Sequence, residues 1–211
     1  ILAPRSPAAD AGGVLKVGLI GCGGRGSGAA RQALNADPNA VLVAMGDAFG
    51  ERLQSSLKAL SARPAPSKNK KSAPDEQEPS VADRVKVTPD KCFVGLNAFQ
   101  KVIDSGVDVV ILATPPGFRP QHLQAAVEAG KHIFCEKPMA ADVPGVRSVM
   151  ESAKLAKEKK LSLVAGFCWR YEGARREFYK RIHDGAIGEV RAVHATYYTG
   201  PVKPMPPASS R

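Results

Sequence analysis

Residues 17–28 read V-G-L-I-G-C-G-G-R-G-S-G, and this stretch restricts the possible folds more tightly than any other part of the chain. Val14, Leu15, Val17, Leu19 and Ile20 form an apolar run that leads straight into Gly21-x-Gly23-x-x-Gly26, after which Ala29, Ala30, Ala33 and Leu34 recur at helical spacing. The pattern predicts a strand, a tight turn and a helix. Each glycine answers a separate steric need, since Gly21 permits the sharp turn, Gly23 lets backbone approach a pyrophosphate, and Gly26 lets the helix lie close on the strand. The start of the helix then offers unpaired N–H groups to an anion. A second apolar run, 41–45, ends near Asp47, about 20 residues past the third glycine, where a ribose-binding acid is expected in a dinucleotide site.

The rest of the chain repeats the alternation of strand and helix. Asp37-Pro38-Asn39 stops the first helix, and a second helix is predicted over 49–60. Residues 61–83 are rich in Pro, Ser, Lys and Glu and almost without large apolar side chains, so they are expected to form a disordered surface insertion. Short strand-like pieces at 85–87 and 92–94 precede a helix over 98–105. The run 107–113 is apolar enough for a strand covered on both faces and breaks at Thr114-Pro115-Pro116. A helix over 122–129, a strand over 132–135, the tripeptide Glu136-Lys137-Pro138, a long amphipathic helix over 143–159 and a strand over 161–165 follow. Strands alternating with such helices imply an α/β fold with a doubly wound parallel sheet, whose functional atoms lie at the carboxyl ends of its strands. Asp47, Thr114, Glu136, Lys137, Trp169 and Arg170 all fall at such ends. After Tyr171 the pattern changes to a helix over 174–183 and an alternating strand over 189–198, which has no partner in the remaining Pro-rich sequence. The expected organisation is a flexible leader at 1–13, a dinucleotide-binding Rossmann domain at 14–166, and at 167–211 the start of a second, truncated α+β domain.

Net charge is +10 at pH 7 over 211 residues, which raises the question of an anionic partner. The basic residues are scattered, however, and Lys154, Lys157, Lys159 and Lys160 cluster where a helix dipole favours cations whatever the protein binds. No aromatic-interleaved stripe points to nucleic acid, and no apolar run reaches the length of a membrane span. The four cysteines, Cys22, Cys92, Cys135 and Cys168, show no C-x-x-C pair and no metal spacing, so neither disulfide nor metal is expected. Cys22 reads as a small buried hydrophobe, with an oxidation-sensitive thiol as the alternative. The chain opens on Ile1 without a charged-then-apolar leader, the pattern left where a signal has been removed or where the segment itself begins part-way.

Val17 through Gly26, Asp47, Ala113-Thr-Pro-Pro116 with His122, A-G-K-H-I-F-C-E-K-P at 129–138 and D-G-A-I-G-E-V at 184–190 together resemble the Gfo/Idh/MocA family of NAD(P)-dependent oxidoreductases, which act mostly on sugars, cyclitols and related polyols. The wording further resembles a bacterial subgroup often made with a twin-arginine export signal, so the compartment is cytoplasmic by default and periplasmic if such a signal precedes Ile1. The resemblance implies that Lys137 is catalytic, aligning or deprotonating the substrate hydroxyl beside the nicotinamide, with Pro138 fixing its aim. A lysine between a sheet edge and a bound ring is expected to be partly desolvated. The cofactor-binding set implied is Gly21, Gly23, Gly24, Arg25, Gly26, Asp47, Thr114, Pro115, His122, Glu136, Lys137, Trp169 and Arg170. Asp47 favours NAD over NADP because a ribose diol hydrogen-bonds to it and a 2′-phosphate is repelled. Arg25 offsets this if it contacts phosphate or stacks on adenine, and otherwise is an exposed turn residue. His122 is a nicotinamide contact or a helix-start packing residue, and Trp169 a cofactor neighbour or core.

The family's D-x-x-x-H element, which supplies an acid or base to the substrate, is not matched by His183, Asp184 or His194 and belongs beyond residue 211. The chain alone is therefore expected to bind a dinucleotide without turning over, and a homo-oligomer is expected of the full-length protein. Three functions remain open at this point. They are hydride transfer between NAD and a secondary hydroxyl of a polyol, glycoside cleavage by transient NAD-dependent oxidation and elimination, and a non-catalytic NAD-binding module or partner subunit.

Overall fold

The computed structural model describes residues 13–62 and 80–200. They divide into two compact units, separated between Phe167 and Cys168. The first is built on a six-stranded sheet, all of whose strand pairs are parallel. Its strands are β1 (Leu15–Ile20), β2 (Ala40–Asp47), β3 (Cys92–Val94), β4 (Val109–Leu112), β5 (His132–Cys135) and β6 (Leu163–Ala165), arranged in the order β3-β2-β1-β4-β5-β6. Because the order reverses between β1 and β4, their carboxyl ends open a crevice between diverging loops. This is the doubly wound α/β fold expected from the sequence.

Five helices cover the sheet: α1 (Gly24–Ala36), α2 (Gly50–Ser61), α3 (Ala98–Asp104), α4 (Arg119–Glu128) and α5 (Val143–Glu158). Side chains alternate along each strand, and the two faces become two cores. Val17 and Leu19 of β1 with Ile111 of β4 pack among Ala29, Ala30 and Leu34 of α1 and Leu53 and Leu60 of α2. Ile20, Val110 and Leu112 join Val102, Ile103, Leu123, Val127 and Ala156 of α3, α4 and α5 on the other side. Both faces are apolar because both are covered.

The insertion expected over 61–83 is narrower at both ends. Ser61 closes α2, while Val81 is buried in the first core and Ala82–Arg84 form a 3-10 turn. Arg84 donates to the carbonyls of Leu34 and Asp37 and to Asn35 Oδ1, satisfying the end of α1, which carries no basic residue of its own. The buried valine and the capping arginine are among the contacts that tie to the first unit a segment whose composition reads as loop. The remainder of the insertion and the leader over 1–12 lie outside the described residues. Of the strand-like piece at 85–87, only Val85 forms a bridge, to Leu42.

The second unit contains α6 (Cys168–Tyr171) and α7 (Gly173–His183). The strand expected over 189–198 is not formed, since the described residues 188–200 are neither helix nor strand. Alternation of apolar and polar residues is necessary for a strand but not sufficient, because the backbone also needs a neighbour to complete its ladder.

Candidate functional site

The site is built around the turn between β1 and α1. Gly21 adopts φ +95, and a Cβ there would press on the Ala113 and Thr114 backbone at 2.7 Å, so the turn passes too close to the end of β4 for any side chain. A Cβ on Gly26 would collide with the Gly21 carbonyl, so the third glycine is what lets α1 lie on its own turn. Around Gly23 and Gly24, by contrast, a Cβ would meet nothing within 4 Å. Here the backbone faces open space. Gly23 caps α1 without a side-chain bond and no acidic residue stands in the first turn, leaving the helix start free to attract an anion.

Asp47 ends β2 beside this turn. Its Oδ2 accepts from Cys22 N–H at 2.7 Å and its Oδ1 from Phe49 N–H at 2.9 Å. A carboxylate has about four acceptor positions, so two remain for another partner. Asp47, Gly21, Gly23, Thr114, Pro115 and His122 line one cleft of about 440 Å³ at the crevice between β1 and β4. On the other side of the glycine turn, a more open groove of about 610 Å³ runs past Gly24, Ser27 and Ser56.

His122 is buried on the first turns of α4, stacked on Phe99 at 4.1 Å, with Nδ1 3.2 Å from Thr114 Oγ1. Burial, aided by the Arg119 guanidinium, holds its pKa down at about 4, so the ring is neutral at physiological pH. His122 packs at the start of α4 and also lines the cleft. Cys22 and Cys135 are buried, and their thiols are pushed up chiefly by desolvation, to about 11 for Cys135. Such thiols are inert hydrophobes rather than reactive groups. Cys92 is half-buried and Cys168 exposed.

The turn after β5 is tied to two neighbours. Glu136 is 3% exposed and accepts from Arg25 Nε at 2.5 Å, and a Cβ on Gly166 would sit 3.0 Å from its carboxyl carbon. Arg25 also reaches Gln32 Oε1 with both Nη atoms at 3.2 Å, so it links the glycine turn to Glu136 rather than projecting freely. The Lys137–Pro138 peptide bond is cis. Lys137 itself is exposed and stands past the end of β5. Trp169 and Arg170 belong to the second unit. There Trp169 is 53% exposed among the described residues, with Arg175 4.3 Å over its ring and Tyr197 at 5.8 Å.

Sequence reasoning missed several lining residues. Phe49 and Arg52 stand just past Asp47 with the guanidinium 5.1 Å over the ring, a pair that the i, i+3 spacing would have revealed. Leu96, Phe99 and Phe118 come from distant segments and carry no local signal. Arg119, buried at the start of α4, was also unseen.

Residues 15–167 match the model of an oxidoreductase family with an NAD-binding Rossmann fold, Gfo/Idh/MocA. The chain belongs to the Gfo/Idh/MocA family. It is 29% identical over 190 residues to inositol 2-dehydrogenase 4 of Saccharopolyspora erythraea, covering 90% of this chain and 47% of that protein. With inositol 2-dehydrogenase of Rhizobium meliloti the identity is 36% over 90 residues, 43% of this chain and 26% of the relative. Among solved structures, scyllo-inositol dehydrogenase from Lactobacillus casei with bound NAD(H) and scyllo-inositol superposes with a TM-score of 0.60 at 21% identity, over 83% of this chain and 43% of that one. A 3-ketoreductase from Actinomadura kijaniata in complex with TDP-benzene and NADP gives 0.58 at 23% identity, over 84% and 46%. The chain thus spans about half the length of the Gfo/Idh/MocA proteins it matches most fully. Among its described residues no helix is long and apolar enough to cross a membrane.

Proposed function

We propose that this chain is the dinucleotide-binding part of an oxidoreductase that moves hydride between NAD and a secondary hydroxyl of a sugar, cyclitol or related polyol. The observation that carries the reading is the cradle at the β1 end. Open backbone at Gly23 and Gly24, an uncapped helix start, and Asp47 with acceptor positions to spare meet at the glycine turn, where Gly23 borders both the cleft lined by Asp47 and the groove lined by Gly24, within an NAD-binding family fold. The residues fit the cofactor: Gly23 and Gly24 would hold the diphosphate, Asp47 the adenosine ribose, and Phe49 and Arg52 the rim. A second negative group next to Asp47 is disfavoured, so NAD is preferred to NADP. Nicotinamide, when bound, supplies or takes the hydride.

Lys137 is the residue proposed to handle the proton. Its Nζ would orient the substrate hydroxyl and hold or move its proton, while neutral His122 and Thr114 shape the cleft wall. In the full-length protein, titration with NADH is expected to show saturable fluorescence change. Lys137→Ala is expected to lower kcat on a polyol by at least about 100-fold, the usual size of an acid–base contribution, while NADH affinity stays within about threefold. Full activity in that variant would remove the lysine from the chemistry, and absence of saturable NADH uptake would remove the whole reading.

A further inference from the structure

Arg119 is 3% exposed and is the first residue of α4. Local physics opposes it there, since the positive end of a helix dipole repels a cation and burial costs a guanidinium its hydration. Buried charges are ordinarily matched by an opposite charge, and an apolar side chain of similar volume would fill the position at lower cost. Arg119 has the Glu136 carboxyl near enough to favour its charge, yet every bond it makes is to a carbonyl, with Nη1 donating to Glu136 O and Pro138 O and Nη2 to Thr114 O, while its Nε lacks a partner among the described residues. Two of those carbonyls flank Lys137 on either side. The third belongs to the loop after β4 that lines the cleft.

We propose that Arg119 is a positioning residue for Lys137. Its fork clamps the backbone before and after the lysine and joins that turn to the Thr114 loop, so the turn that carries Lys137 and the loop that lines the cleft move as one body. Arg25 adds a second tie through the Glu136 side chain, from the glycine turn. The fork is essential because a single guanidinium plane presents several donors in fixed directions, whereas a lysine ammonium on a flexible stem cannot hold three carbonyls of two loops in one arrangement. The part of the inference that concerns the nicotinamide end rests on the function proposed above; the joining of the two loops does not.

The test compares the 211-residue chain with Arg119→Lys and Arg119→Met by hydrogen exchange and by titration with NADH and with ADP-ribose, which lacks the nicotinamide. In Arg119→Met, segments 113–118 and 136–140 are expected to exchange faster together, by about tenfold or more, with β1 and α1 unchanged. NADH should bind about tenfold more weakly while ADP-ribose stays within about threefold, and Arg119→Lys should fall between wild type and Arg119→Met. Unchanged exchange, acceleration of one segment alone, acceleration that spreads to β1 and α1, or equal loss of NADH and ADP-ribose would each overturn the proposal. Should Arg119→Met fail to fold, Arg119→Lys is read by the same comparisons. Should neither ligand bind the wild-type chain, the dinucleotide reading fails, and the exchange comparison alone decides whether Arg119 joins the loops.

Discussion

His122 shows how one side chain serves packing and site at once, and its protonation makes this measurable. In the unfolded chain a histidine takes up its proton near pH 6.5, whereas in the folded protein burial delays uptake to about 4. Between these values the unfolded state holds more protons, so stability is complete above pH 6.5 and falls as pH drops toward 4, by about 3 kcal/mol in all. Urea denaturation at pH 7.5 and 4.5 should show this loss, and His122→Gln should reduce it; an equal loss in the variant would place the acid sensitivity elsewhere. At this scale Asp47 and the glycines were legible because the glycine spacing and the carboxylate about 20 residues on form a sequence pattern of their own. Arg119 was not, because the three carbonyls it joins come from strand ends that only the folded sheet brings together.

Among the elements, α1 depends on contacts that leave no room for adjustment. Gly26→Ala would drive a methyl group into the Gly21 carbonyl, lifting the helix start away from the turn. The expected cost is about 1–3 kcal/mol, as for other overpacked sites, together with loss of NADH binding; a variant of unchanged melting temperature and affinity would show that the helix shifts freely. Strand and helix positions followed well from periodicity in the first unit because each apolar stripe there meets a partner. The same reasoning failed for residues 189–198, where the stripe is present but no ladder forms among the described residues. Residues 81–84 mark the opposite failure, a loop-like stretch held by buried Val81 and by the cap Arg84 provides.

For the molecule as a whole, every residue lining the cleft belongs to the first unit. A chain ending at residue 167 is therefore expected to bind ADP-ribose within about threefold of the 211-residue chain, and a loss beyond about tenfold would mean that the second unit completes the adenosine half. The doubly wound topology and its crevice were readable from alternation and turn chemistry, but the rim of Leu96, Phe99 and Phe118 was not, because it is assembled by strand order rather than by neighbours in sequence. The carboxylate at the tip of β2 has a consequence for anyone redesigning coenzyme choice. It latches the glycine turn through Cys22 and its own loop through Phe49. Swapping it to admit a phosphorylated ribose would unfasten the cradle in the same stroke, so a usable change of preference has to be made at surrounding positions while the acid is kept.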